Sequence, residues 1–269
     1  MSLNLKGRLK IRQEKSEYEE KFLKRLLHYF EYDIIFGHEA SQLPDAVSSH
    51  QSIGTGEAFI LFNKKRYAVL SETRFQHRFF PIKNCGKFIA LELEDKHTGG
   101  KLLAVSWKID SRLLKQKCIE VVNQLTDFIS SVRIVDNIPV IIGGVFGISV
   151  FDALDNLPGE VSCHGYNPLT FRRQMRASDF FLTSDNVDMF QIQPLIFESV
   201  NLKQLHGRVR MNAEDVFYFD PVIAEFEMEN LRKSVDPTKI PISAEKEEEN
   251  AESEEVERET LKYVNVITI

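Results

Sequence analysis

The sequence predicts a mixed α/β (α+β) sandwich rather than a doubly wound parallel sheet. Short β-type runs come in pairs joined by tight turns, only two segments carry a clear helical period, and strands and helices do not alternate regularly. A hydrophobic content of 43% over 269 residues, with 20 phenylalanines, is enough for a large core. There is no internal repeat.

In chain order, Leu3, Leu5, Leu9 and Ile11 alternate with Asn4, Lys6, Arg8, Lys10 and Arg12, a period of two that predicts a half-buried strand. Ser16 with Glu19 forms a capping box, and Tyr18, Phe22, Leu26 and Phe30 follow at helical spacing, so a helix is expected from about 17 to 31. Asp33 to Phe36 reads as a short buried strand ending near Glu39. Ala58 to Phe62 and Tyr67 to Leu70 form a strand pair around Asn63, Lys64, Lys65 and Arg66. Lys87 to Glu94 and Lys101 to Trp107 flank Asp95, His97, Thr98, Gly99 and Gly100, the pattern of a hairpin. Arg112 to Ile129 carries Leu114, Cys118, Val121, Val122, Leu125 and Ile129 on one face, which predicts a second amphipathic helix. Further strands are expected at Phe180 to Leu182 and Val222 to Phe226, while Phe190 to Phe217 shows no clear period.

Between the second helix and those strands lies Pro139-Val-Ile-Ile-Gly-Gly-Val-Phe-Gly147. β-branched residues ending in Gly143 and Gly144 predict a buried strand that reaches a sheet edge, where α/β proteins place ligands. Chemistry at such a turn needs a carboxylate, an amide or a hydroxyl. The chain supplies Val145, Phe146 and Gly147.

Charge and cysteine use narrow the class. The net charge is −6, but Glu245 to Glu259 alone contributes −7, which leaves the rest at +1. That stretch predicts a disordered or solvated helical tail over 231–269, following a domain over 1–230. Cys85, Cys118 and Cys163 are widely spaced and odd in number, so neither a disulfide framework nor a zinc knuckle is expected. No apolar run approaches the roughly 18 to 20 residues of a membrane span, and residues 1–10 carry charges where a signal peptide needs an apolar stretch. The expectation is an intracellular protein, cytoplasmic or nuclear, without a membrane partner.

The order of these elements resembles the endonuclease/exonuclease/phosphatase superfamily over residues 1–228. In that family a strand like Asp-Ile-Ile-x-x-Gln-Glu ends in a glutamate that holds a divalent ion; here the stretch is Asp33-Ile-Ile-Phe-Gly-His-Glu39, so Glu39 would be the ligand. Gly56 to Leu70 resembles the family's next hairpin. Its Asn-x-His-Leu strand end falls on Ser106, Trp107, Lys108 and Ile109. Its Gly-Gly-Asp-Phe-Asn, where the Asp handles the nucleophilic water and the Asn grips phosphate, falls on Gly143, Gly144, Val145, Phe146 and Gly147. The Ile-Asp-Tyr-Ile strand falls on Ser178, Asp179, Phe180 and Phe181, with Asp179 retained. The closing Ser-Asp-His-x-Pro-Val reads Phe217, Tyr218, Phe219, Asp220, Pro221, Val222. The family's first strand ends in an asparagine. Asn4 is the residue for that place but stands near the start of its predicted strand, so either the match is accidental or the first strand is truncated.

The resemblance implies two packed mixed β-sheets flanked by helices, a four-layer sandwich, with a disarmed catalytic site. Metal-assisted phosphodiester hydrolysis needs ion ligands, a group to direct water, and donors for the developing phosphorane charge. Those positions hold Ser106, Lys108, Val145, Gly147, Tyr218 and Phe219. Glu39 and Asp179 are the residual candidates, and they offer few of the roughly six oxygens a hard cation takes. No cofactor is therefore expected beyond magnesium of weak affinity at Glu39. Lys108 is a candidate phosphate contact, although lysines at strand ends are commonly solvated. His38-Glu39 lacks the second histidine of a zinc-protease motif, since Gln42 stands there.

Other features admit bland and functional readings. Arg172, Arg173 and Arg176, and His206, Arg208 and Arg210, form two basic clusters that suit nucleic acid or simply an exposed face. Trp107 suits base stacking or core packing. The apolar end Leu261, Tyr263, Val264, Val266, Ile267 and Ile269 suits a protein partner's groove or the chain's own domain. The expected function is a degenerate superfamily member serving as a binding or regulatory scaffold. The alternatives are a divergent magnesium-dependent phosphodiesterase using Glu39, Asp179 and unaligned groups such as Asp152, Asp155 or His164, and a nucleic-acid binder that has lost cleavage.

Overall fold

A computed structural model describes residues 2–4, 23–24, 27, 32–40, 42–43, 49–155, 157–165, 179–194, 222–228 and 263–264. The first sheet contains β1 (Ser2–Asn4), β2 (Ile34–His38), β3 (His50–Gly54) and β4 (Ala58–Asn63) in the order β1-β2-β4-β3, with β1 and β2 parallel. The second contains β5 (Tyr67–Ser71), β6 (Gly86–Asp95), β7 (Lys101–Ile109), β8 (Val140–Val145), β9 (Val161–Gly165) and β10 (Asp179–Ser184). Its order is β5-β6-β7-β8-β10-β9, and β7 with β8 is its parallel pair. Both sheets are thus mixed, as expected. In addition to the small first sheet and the large second one, a three-stranded sheet runs β11 (Val187–Pro194), β12 (Val222–Met228), β13 (Tyr263–Val264).

Strand alternation shows how the layers face one another. On β7, Leu103, Val105, Trp107 and Ile109 pack toward the helical side, whereas Leu102 and Ala104 join Ile34 and Phe36 of β2 and Ile60 and Phe62 of β4 between the sheets. Period two then carries Ser106 and Lys108 onto that same inner face, opposite His38. Ala224, Phe226 and Met228 of β12 fill the same inter-sheet core. On the other face of the small sheet Ile35, Phe59 and Leu61 are also fully buried, so it is covered on both sides.

The outer layer on the large sheet is α1 (Lys115–Asp136), which buries Cys118, Val121, Val122, Leu125, Phe128, Ile129 and Val132 at three- and four-residue spacing. It lies further along the chain than the predicted Arg112 to Ile129, and Asn137 ends it in the left-handed conformation at φ 50°. A 3₁₀ helix spans Gln76–Ile82, and a short α2 (Val150–Leu154) is closed by a capping box between Ser149 and Asp152. Of the predicted helix over 17–31, the described residues Leu23, Lys24 and Leu27 are helical.

One expectation needs correction. The strand at the glycine run does not end at Gly143 and Gly144 but passes through both to Val145. Gly144 has φ 156°, and a Cβ there would lie 1.8 Å from the Trp107 carbonyl oxygen, so close backbone approach, not a turn, requires glycine. The turn is at Gly147, with φ 74°. Near the far end of the chain the described residues Tyr263 and Val264 pair antiparallel with Glu227 and Phe226 of β12, so at these two positions the apolar end lies on the chain's own domain. The acidic stretch over 245–259 lies outside the described residues, as do the two basic clusters and most of the alternating segment over 3–12.

Candidate functional site

The strand ends that the sequence marks as functional meet at one end of the sandwich. Lys108 is in register with Val145 across the parallel β7–β8 pair, and Val145 is in register with Asp179 across β8–β10. Lys108, Val145 and Asp179 therefore form one row over three neighbouring strands. Asn4 occupies the matching place in the small sheet, at the end of β1 in register with His38. Glu39 follows directly on β2, and its φ of 55° is a conformation that non-glycine residues adopt uncommonly.

Glu39 and Lys108 join across the two sheets. The Lys108 Nζ donates to Glu39 Oε1 at 2.6 Å, with only 19% and 16% of the two side chains exposed. A second pair repeats the arrangement at the rim. Lys87, in register with Lys108 on β6, lies 3.3 Å from Glu57, the residue before β4. The mouth between the sheets is thus spanned by two lysines of the large sheet and two glutamates of the small one.

Beneath Lys108, Ser106 is fully buried. Its hydroxyl donates to the Gly37 carbonyl at 3.3 Å and lies 3.0 Å from His38 Nε2. Burial, with the Lys108 ammonium nearby, lowers the His38 pKa to about 3, so its ring is neutral at ordinary pH. Both side chains are sealed from solvent and serve to join the sheets rather than to meet a substrate. The sequence reading missed His38 as a member of this group. The signal was there, in the alternation Ile34, Phe36, His38 on the inner face.

The other candidates are committed elsewhere. Val145 packs against the helix-side core. At Gly147 a Cβ would come within 3.0 Å of Cys118 Sγ. Trp107 is fully buried and stacks with Phe88 at 6.1 Å, so it fills the core and has no face for a base. Asp152 accepts from Lys115 Nζ at 2.8 Å and closes the α2 cap, and Asp155 is the last cap of that helix. His164 Nε2 lies 2.9 Å from Thr183 Oγ1 in the inter-sheet layer, edge-on to Phe226, and burial lowers its pKa to about 4. Asp179 is buried at the start of β10. Tyr218 and Phe219 lie outside the described residues.

Among the described residues, no three His, Cys, Asp or Glu side chains gather where an ion could be held. Glu39, the expected ligand, already accepts a charged hydrogen bond from an ammonium. Among the described residues, the donors at this mouth fall short of the set a divalent cation takes.

This architecture, two mixed sheets packed face to face with the marked strand ends at one mouth, is the endonuclease/exonuclease/phosphatase fold. Solved structures carry that assignment. An endonuclease/exonuclease/phosphatase from Bacteroides vulgatus superposes with a TM-score of 0.57 at 12% identity, over 85% of this chain and 97% of that one. A mannosyl-6-phosphatase of Bacteroides thetaiotaomicron gives 0.53 at 12% identity, over 72% and 88%. The human Nocturnin catalytic domain gives 0.53 at 14% identity, over 79% and 86%. At such identities the likeness is one of fold. No family profile matches the sequence, and no curated protein matches it. No described helix is long and apolar enough to cross a membrane.

Proposed function

We propose that this chain is a catalytically degenerate endonuclease/exonuclease/phosphatase-like domain that acts as a binding or regulatory scaffold. The observation behind it is the row Lys108, Val145, Asp179 with Glu39 facing it. In the superfamily motifs the first two of these places hold a histidine and the aspartate that handles water. Here they hold a lysine engaged by Glu39 and a half-buried valine that packs against the core. A site without a group to direct water loses orders of magnitude in rate, and a neighbouring carboxylate does not repair that. The groups offered for a divergent active site, Asp152, Asp155 and His164, are taken up in a helix cap and an inter-sheet contact.

In this reading the mouth and the tail are the working surfaces, and a protein partner engages the tail's apolar end in exchange for the pairing of Tyr263 and Val264 with β12. The test is hydrolysis by the purified full chain with magnesium or manganese. The panel comprises oligonucleotides, nucleotide cofactors, inositol phosphates and, because a relative of this fold is a sugar phosphatase, hexose phosphates. No turnover above buffer is expected. Turnover that disappears in Glu39→Ala would overturn the reading.

A further inference from the structure

We infer that the Lys108 ammonium has taken over the place and the charge of the divalent cation, so that the mouth of this domain holds a tethered internal cation. The inference rests on the degenerate-site reading above and adds to it what fills the site. The ammonium sits 2.6 Å from Glu39 Oε1, the oxygen expected to hold the ion. It arrives from the inner face of β7, and Leu102 and Ala104 of that face are packed in the inter-sheet core, which aims the lysine stem at the small sheet. The pair is mostly removed from water, so the two charges are weakly screened and each holds the other.

A hard cation competing for that carboxylate must displace the ammonium or sit beside it as a like charge. Among the described residues, Lys87 and Glu57 form a second balanced pair at the rim, so that pair adds no net charge that would draw such an ion in. The resulting cation is covalently attached. It cannot be removed by chelation, does not exchange water, and presents no acidic ligand water, since an ammonium polarises far less than a divalent ion. Its consequence for the scaffold is that the two sheet ends are joined at the mouth without any metal.

The experiment is a titration of the full chain with Mn²⁺ at neutral pH, followed by the electron paramagnetic resonance signal of the free ion. The wild type is expected to show no saturable site. Lys108→Met, which keeps the apolar stem and removes the charge, is expected to gain a weak saturable site, with affinity in the range of about 10⁻³ M seen for weakly held hard cations. Lys108→Met/Glu39→Gln is expected to lose it, and Lys108→Gln serves as a second neutral variant should the first fail to fold. Saturable Mn²⁺ binding by the wild type that Glu39→Gln abolishes would overturn the inference, as would neutral variants that bind no better than the wild type. Either result would leave the absence of turnover standing, whereas hydrolysis that persists in chelator would sink the degenerate-site reading without touching this one.

Discussion

Replacing Gly144 by alanine tests whether the Gly-Gly pair is kept for backbone packing rather than for chemistry. A Cβ at this position would lie 1.8 Å from the Trp107 oxygen, 2.8 Å from the Trp107 carbonyl carbon and 3.0 Å from His38 Nε2. Relief to the closest tolerable contact, near 3.0 Å, requires β8 to move about 1.2 Å from β7 at the parallel pair inside the large sheet. Overpacking costs about 1–3 kcal/mol and an unfavourable backbone conformation about another 1–3, so the loss should be roughly 4 kcal/mol. Two controls separate the terms. Gly99 has φ 72° but nothing within 4 Å of its Cβ position, so Gly99→Ala should cost only the backbone term, about 1–2 kcal/mol. Gly159 has neither constraint, and Gly159→Ala should be neutral or stabilise by about 0.4–1 kcal/mol through the unfolded chain. Urea unfolding followed by the fluorescence of Trp107, the one tryptophan in the sequence, reads all three. A Gly144→Ala protein within about 1 kcal/mol of Gly99→Ala would refute the steric account.

Acid should destabilise the fold through its buried histidines. His38 and His164 are lowered from 6.5 to about 3 and about 4, so below 6.5 the unfolded chain takes up protons that the folded one refuses. Their contribution is fully present above pH 6.5 and is lost as pH falls toward the folded values, about 2 kcal/mol for each at around pH 5. Urea midpoints at pH 7.5 and 5 that coincide would contradict this. Arg66 joins Asp33 at 2.6 Å and the buried Asp95 at 2.9 Å. Arg66→Met takes the guanidinium away from both carboxylates and should cost about 3–5 kcal/mol by thermal unfolding, with part restored in Arg66→Met/Asp95→Asn. Ser149→Ala removes the cap on α2 and should cost about 1 kcal/mol, measured the same way.

What the sequence disclosed follows from which features are local. The period of α1, the β6–β7 hairpin and the buried run of β8 were visible because each is written in consecutive residues. β3 and β9 were not anticipated, since His50–Gly54 and Val161–Gly165 are mixed in polarity and edge strands need only one paired side. The third sheet escaped notice because its partners lie far apart along the chain. At the site, Lys108, Val145 and Asp179, which motif order singled out, lie in one register row. The ion pair between Glu39 and Lys108 could not be read in advance. It depends on the inner-face alternation of two different sheets, and a lysine at a strand end looks the same in sequence whether it is solvated or pinned.

The pairing of Tyr263 and Val264 with β12 has a bearing on handling and on assembly. A strand edge left open is a template for any other chain that can extend alongside it, and here the polypeptide covers part of its own. Deleting the final residues would uncover the backbone groups at Phe226 and Glu227 and favour self-association by edge pairing.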